Sequence, residues 1–124
     1  MDPALPRINP IYAKRIYEAP ASGDGRRILV DRLWPRGMSK GQAPWHIWLK
    51  EASPSAELRK WFAHQPERWE GFVARYEEEL KHRPEVLSCF RGWLKEGPVT
   101  LLYSARDEQY NQAVALKHIL PRLL

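Results

Sequence analysis

One cysteine, Cys89, is all the thiol chemistry that 124 residues carry, so no internal disulfide can staple this chain and its fold must rest on a packed core. Long apolar runs are missing too. Nothing approaches the roughly 18 consecutive apolar residues that a membrane span needs, and the opening stretch MDPALPRINP has no apolar signal segment. These absences lead us to expect a cytoplasmic protein with no membrane partner. The familiar catalytic signatures are also lacking: there is no Gly-rich phosphate loop, no GxSxG and no HExxH. His46, His64, His82 and His118 share no ligand spacing, so neither a metal nor a cofactor is expected. No motif names a reaction.

What is present is an ordinary globular composition with an uneven distribution of charge. The length suits one domain with one core. The net charge is +5, and residues 1–50 hold nine Lys/Arg against four Asp/Glu, while the remainder is balanced at eleven of each. All the excess positive charge thus lies in the first part of the chain, which points to an anionic partner. Six tryptophans are present, five of them between Trp34 and Trp69. They are read first as core and packing residues, with a base-stacking platform as the alternative.

The chain is organised around Arg27–Lys40, RILVDRLWPRGMSK. Ile28, Leu29 and Val30 form a short apolar run, as a strand buried on both faces requires. We expect this strand to reach Leu33, carrying Asp31 and Arg32 within it, before Pro35 and Gly37 turn the chain. Residues 1–10 hold three prolines and are expected to be loose, with one α/β domain over residues 11–124. A first strand is read over Ile11–Tyr17. The loop after it is too short for a helical crossover, so the first two strands are expected to be antiparallel or not neighbours.

Gly41–Ala52 is irregular, with a short helical or extended piece. Ser53-Pro54 reads as a helix start, with Ser53 as N-cap, and a second helix follows from Pro66. It carries Trp69, Phe72, Val73, Tyr76 and Leu80 on one face and Glu77-Glu78-Glu79 as a solvated one. Pro84 opens a third helix, with Cys89 as a packing residue inside it and Gly97 near its end. Val99–Tyr103 is a second buried strand. After it, Asp107 caps a helix running from Glu108 to about Ile119. The expected architecture is a small, mostly parallel sheet covered by about four helices.

Both apolar strands run straight into polar residues, and ligands of open α/β sheets bind beyond the carboxyl ends of strands. We therefore expect Asp31, Arg32, Arg36 and Lys40 to share one pocket with Ser104, Arg106, Asp107 and Asn111. Arg32, Arg36, Lys40 and Arg106 would hold negative charge, with Ser104 and Asn111 as further ligand contacts. Asp31 and Asp107 would handle protons or orient the ligand. Asp31 is expected to be ionised and paired with one of the arginines.

VDRLWPRGMSK, SPSAELRKWFAHQPERW, RYEEEL and VTLLYSARD followed by Asn111 together resemble the YeaO-like family of small bacterial proteins, a domain of unknown function (488). The resemblance runs from about Tyr12 to Leu120 and implies a single α/β domain without an established activity. Where the family pattern commonly has Lys, this chain has Arg106. A guanidinium stays protonated, so position 106 is a fixed positive charge rather than a Schiff-base amine or general base. The function expected is binding of, or action on, an anionic small ligand, phosphorylated or nucleotide-like, at these strand ends. The alternative is a nucleic-acid-binding or regulatory domain that uses the basic first third. Nothing in the sequence sets the oligomeric state.

Overall fold

Val99–Tyr103 is buried at every position, because its neighbours cover it on both sides and on both faces. The computed structural model describes residues 9–124. Most of the segment expected to be loose therefore lies outside the described residues. Four strands, β1 (Ile11–Arg15), β2 (Arg26–Leu29), β3 (Ile47–Trp48) and β4 (Val99–Tyr103), form one sheet in the order β1-β4-β2-β3. All three pairings are parallel. The expectation for the first two strands holds in one respect. They are parallel rather than antiparallel, but they are not neighbours, since β4 lies between them. The loop from β1 returns to the start of β2 close against β4. At Gly25, with φ +64°, a Cβ would stand 2.1 Å from the Pro98 carbonyl oxygen, so only glycine fits this approach.

The four helices are α1 (Ala56–Phe62), α2 (Trp69–Lys81), α3 (Pro84–Glu96) and α4 (Gln112–Leu123). All four deliver side chains to one cluster with Ile28, Val30, Val99, Leu101 and Tyr103. Among the described residues, no α-helix covers the other face of the sheet. There Ile16, Leu29 and Leu102 are covered by Met38, Trp45 and Trp48. Trp34 packs edge-on against Trp45 and Trp48, with ring centroids 4.8 and 5.4 Å away. The irregular segment after β2 thus acts as the second covering layer. The tryptophans are mainly packing residues, as their size dictates.

Several boundaries differ from those read in the sequence, each for a local reason. β2 ends at Leu29, so Asp31 stands just beyond the strand rather than in it. The N-cap of α1 is Ser55, whose side chain accepts from the Leu58 N–H. Glu79 is not on a solvated face: its carboxylate accepts from the Ser55 N–H (2.8 Å) and hydroxyl (2.5 Å), and so ties α2 to the start of α1. Cys89 is exposed. It precedes Phe90 by one position, about 100° around the helix from the apolar stripe. Asn111 caps α4, accepting from the Val114 N–H. Asp107 closes only the turn before that helix.

Candidate ligand-binding cleft

Because every strand runs the same way, all four carboxyl ends open on one side of the sheet. The segments that leave them line a single cleft of about 810 Å³. Arg15 ends β1 and Tyr17 follows it, Asp31 to Arg36 follow β2, Ser53 and Pro54 come after β3, and Ser104 to Arg106 leave β4. Arg59 and Phe62 close it from α1, His64 from the turn after that helix, and Gln112 from α4.

Asp31 sits at the centre and is buried. Its Oδ2 accepts from the Ser104 N–H at 2.9 Å and the Ser104 hydroxyl at 2.6 Å, and its Oδ1 accepts from the Gln112 amide. Its own carbonyl accepts from the Trp48 indole N–H at 2.7 Å. The carboxylate thus ties the exit of β2 to the exit of β4 and the first turn of α4. The expected ion pair with an arginine is absent: among the described residues, Asp31 takes part in no ion pair. The hydroxyl and amide donors of Ser104 and Gln112 occupy the positions a guanidinium would have needed. Burial raises the Asp31 carboxyl above its ordinary range, against the opposing pull of those donors and of the Arg59 charge.

The arginines are arranged differently. Arg15 donates from Nε to the Ala105 carbonyl at 3.1 Å, and its guanidinium lies 4.9 Å from the centre of the Tyr17 ring. Arg32, Arg36 and Arg106 are exposed at the rim. Pro35, between the first two, is buried and anchors their loop, and the Tyr17 hydroxyl donates to the Arg36 carbonyl at 2.9 Å. Arg59 is the deepest, and its Nε is buried without a hydrogen-bond partner. Among the described residues, none of Arg32, Arg36, Arg59 and Arg106 makes an ion pair. His64 reaches the cleft by way of two consecutive left-handed residues, Ala63 (φ 47°) and His64 (φ 54°). Such angles cost about 1–3 kcal/mol each and gather at functional sites.

Five of the eight residues singled out in the sequence therefore line the cleft: Asp31, Arg32, Arg36, Ser104 and Arg106. Lys40 lies outside it, exposed on a short 3₁₀ turn, Lys40–Gln42. Asp107 and Asn111 also lie outside. The Asp107 carboxylate accepts from the Gln109 and Tyr110 N–H groups, both at 2.9 Å. The Tyr110 bond and then the Gln109 bond pull its carboxyl below the ordinary range. The Asn111 amide donates to the Asp107 carbonyl at 2.9 Å.

Arg15, Tyr17, Arg59, His64 and Gln112 were not anticipated. A signal for Arg59 existed: it stands three positions before Phe62 and so shares the buried side of α1, where a charge needs a reason. Among the described residues, no group of three or more His, Cys, Asp or Glu converges to hold a metal. No helix there is long and apolar enough to cross a membrane.

A family model, DUF488-N3i, described as the inactive DUF488-N3 subclade, matches residues 10–124. A protein of Mycobacterium tuberculosis strain H37Rv that is named as uncharacterised is 41% identical over 110 residues, covering 89% of this chain and 92% of that protein. The YeaO protein of Escherichia coli K12, also named as uncharacterised, is 41% identical over 106 residues, covering 86% and 92%. No solved structure gives a significant match.

Proposed function

The chain belongs to the DUF488-N3i family, and from that membership we propose that its cleft binds a small phosphate-bearing anion rather than carrying out a reaction. The observation that carries this reading is the charge of the lining. Five arginines that make no ion pair among the described residues, Arg15, Arg32, Arg36, Arg59 and Arg106, line a cavity whose one carboxylate already accepts three hydrogen bonds. Guanidinium groups present paired N–H donors that match phosphate oxygens and keep their charge at any working pH. Arg59 supports the reading further, because it lines the cleft and no carboxylate pairs with it among the described residues.

A binding role suits the acids as well. Proton transfer needs a carboxylate free to approach the reacting group, and both candidate acids are engaged. Asp31 holds two strand exits together and Asp107 closes a turn. We assign Asp31 and Asp107 to positioning the cleft, with Arg32, Arg36, Arg59 and Arg106 as anion holders. The description of the family as an inactive subclade supports binding without chemistry.

Thermal-shift measurements with inorganic phosphate, pyrophosphate, ribose 5-phosphate and a short oligonucleotide test the proposal. Anions that bind only the folded state raise its midpoint by linkage. Arg36→Ala, at an exposed position, should fold normally and weaken the anion about ten-fold or more, as loss of a charge-assisted hydrogen bond does. Arg59→Ala should weaken it at least as much. Midpoints unmoved by every phosphate would end this reading. A response to the oligonucleotide alone would favour the nucleic-acid alternative.

A further inference from the structure

Beside the arginines, the cleft carries apolar surface that the binding of a bare anion leaves unexplained. Among the described residues, the large hydrophobic side chains left exposed are Tyr12, Tyr17, Leu33 and Trp34. Three of these four, Tyr17 (46% exposed), Leu33 (71%) and Trp34 (37%), line this one cleft. Single exposed apolar residues are common, but a cluster beside charged groups marks a surface that something covers.

The two rings are also held in place. The Tyr17 hydroxyl donates to the Arg36 carbonyl, and the Arg15 guanidinium lies over the ring, 4.9 Å from its centre, as a second restraint on it. The Trp34 indole N–H donates to the Met38 carbonyl, and Trp45 and Trp48 brace the ring from the side. Both rings therefore keep their positions before any ligand arrives, which lowers the ordering cost of binding.

We infer that the ligand is a nucleoside phosphate, with its phosphate among Arg32, Arg36, Arg59 and Arg106 and its base against Tyr17, Leu33 and Trp34. This inference rests on the anion-binding reading of the same cleft and adds the second half of the ligand. A flat, uncharged, polarisable group beside a phosphate satisfies both parts of the lining, and a nucleobase is such a group. The cavity, about 810 Å³, falls within the range of about 300–1,000 Å³ usual for small-molecule sites. Base-specific contacts are not required, since every base has a π-face.

The test is calorimetric titration of the full chain with inorganic phosphate, ribose 5-phosphate, AMP, UMP and a short oligoadenylate. AMP and UMP should bind at least about five-fold more tightly than ribose 5-phosphate, the smallest gain expected of one base–aromatic stack. In Tyr17→Ala that ratio should fall towards one. Tyr17→Phe keeps the ring, loses only the bond to Arg36, and should keep the ratio. Circular dichroism on both variants shows that the comparison is made between folded proteins.

Equal affinity for AMP, UMP and ribose 5-phosphate would overturn the nucleoside inference and leave the anion-binding reading standing. Silence from every phosphate would overturn both. Binding of the oligoadenylate without AMP would overturn the inference in favour of a polymer ligand. An undiminished ratio in Tyr17→Ala, with Trp34→Ala likewise undiminished and folded, would remove the aromatic platform from the argument.

Discussion

Asp31 gives the sharpest separation between two accounts of the cleft, because alanine and asparagine test different things there. Its carboxylate accepts from the Ser104 N–H and hydroxyl and from the Gln112 amide. Alanine removes both acceptor oxygens and with them three hydrogen bonds, and leaves the Ser104 N–H and hydroxyl and the Gln112 amide without that partner. Each such orphan costs about 1–3 kcal/mol, so Asp31→Ala should lose about 2–4 kcal/mol after partial relaxation. Asparagine keeps one oxygen, which can face both Ser104 donors. Its NH₂ then faces Gln112, whose amide can turn over so that its oxygen accepts. All three bonds survive, and Asp31→Asn should lose less than about 1 kcal/mol.

The pH dependence adds a signed check. Burial raises the Asp31 carboxyl above its ordinary value of 3.8, so the folded state holds this proton more tightly than the unfolded chain does. Its contribution to stability is fully present below 3.8 and is lost as pH rises through the folded value. The advantage of wild type over Asp31→Asn should therefore shrink from about pH 4 upwards and then level off. Urea unfolding of wild type, Asp31→Ala and Asp31→Asn at several pH values measures both effects. If asparagine proves as damaging as alanine, or wild type gains on it with rising pH, the carboxylate is held by a charge. The ion pair with an arginine would then have to be reinstated.

Two further outcomes follow from buried or shielded donors. The Tyr76 hydroxyl is fully buried and donates to the Ala52 carbonyl. Tyr76→Phe should cost about 1–2 kcal/mol in urea unfolding by orphaning that carbonyl, and a loss near zero would mean the bond is not made. His46 is held below its ordinary 6.5 first by burial and then by the charges of Arg27 and Arg26, and its Nδ1 accepts from the Arg27 N–H at 2.9 Å. A lowered histidine contributes stability above 6.5 that is lost as pH falls through the folded value. An NMR titration should find His46 ionising below 6.5, and a midpoint above 6.5 would contradict the bond.

The parts of this molecule that could be read from its sequence are those where a residue type leaves little choice. Pro84 and Gly97 bracket α3 because one cannot continue a helix backwards and the other ends it easily. VTLLY reads as a central strand because only a position covered on both faces tolerates such a run. The cleft was half visible for the same reason: polar residues that follow a buried strand have nowhere to go except the strand end. What could not be read depended on contacts distant in sequence. Glu79 looks solvated until Ser55, 24 residues away, is placed beside it. Asp31 looks like an arginine's partner until Ser104 and Gln112, 73 and 81 residues on, arrive first. His64 depends on two left-handed residues that nothing in Ala63-His64-Gln65 announces.

The separation of charge in the folded chain bears on what the cleft is for. Five acidic residues elsewhere are paired: Asp24 with Lys14, Glu96 with Arg26, Glu77 with Arg122, Glu78 with Lys81 and Glu79 with Arg83. None of these pairs involves the cleft arginines, so among the described residues no ion pair takes up their charge. That repulsion cannot be relieved by losing a proton, because a guanidinium does not give one up at working pH. The strand exits that carry the arginines are instead held by Ser104, Gln112 and Trp48 converging on Asp31. Position is thus fixed by one set of residues and charge is presented by another, so loss of an arginine should weaken the ligand and spare the fold.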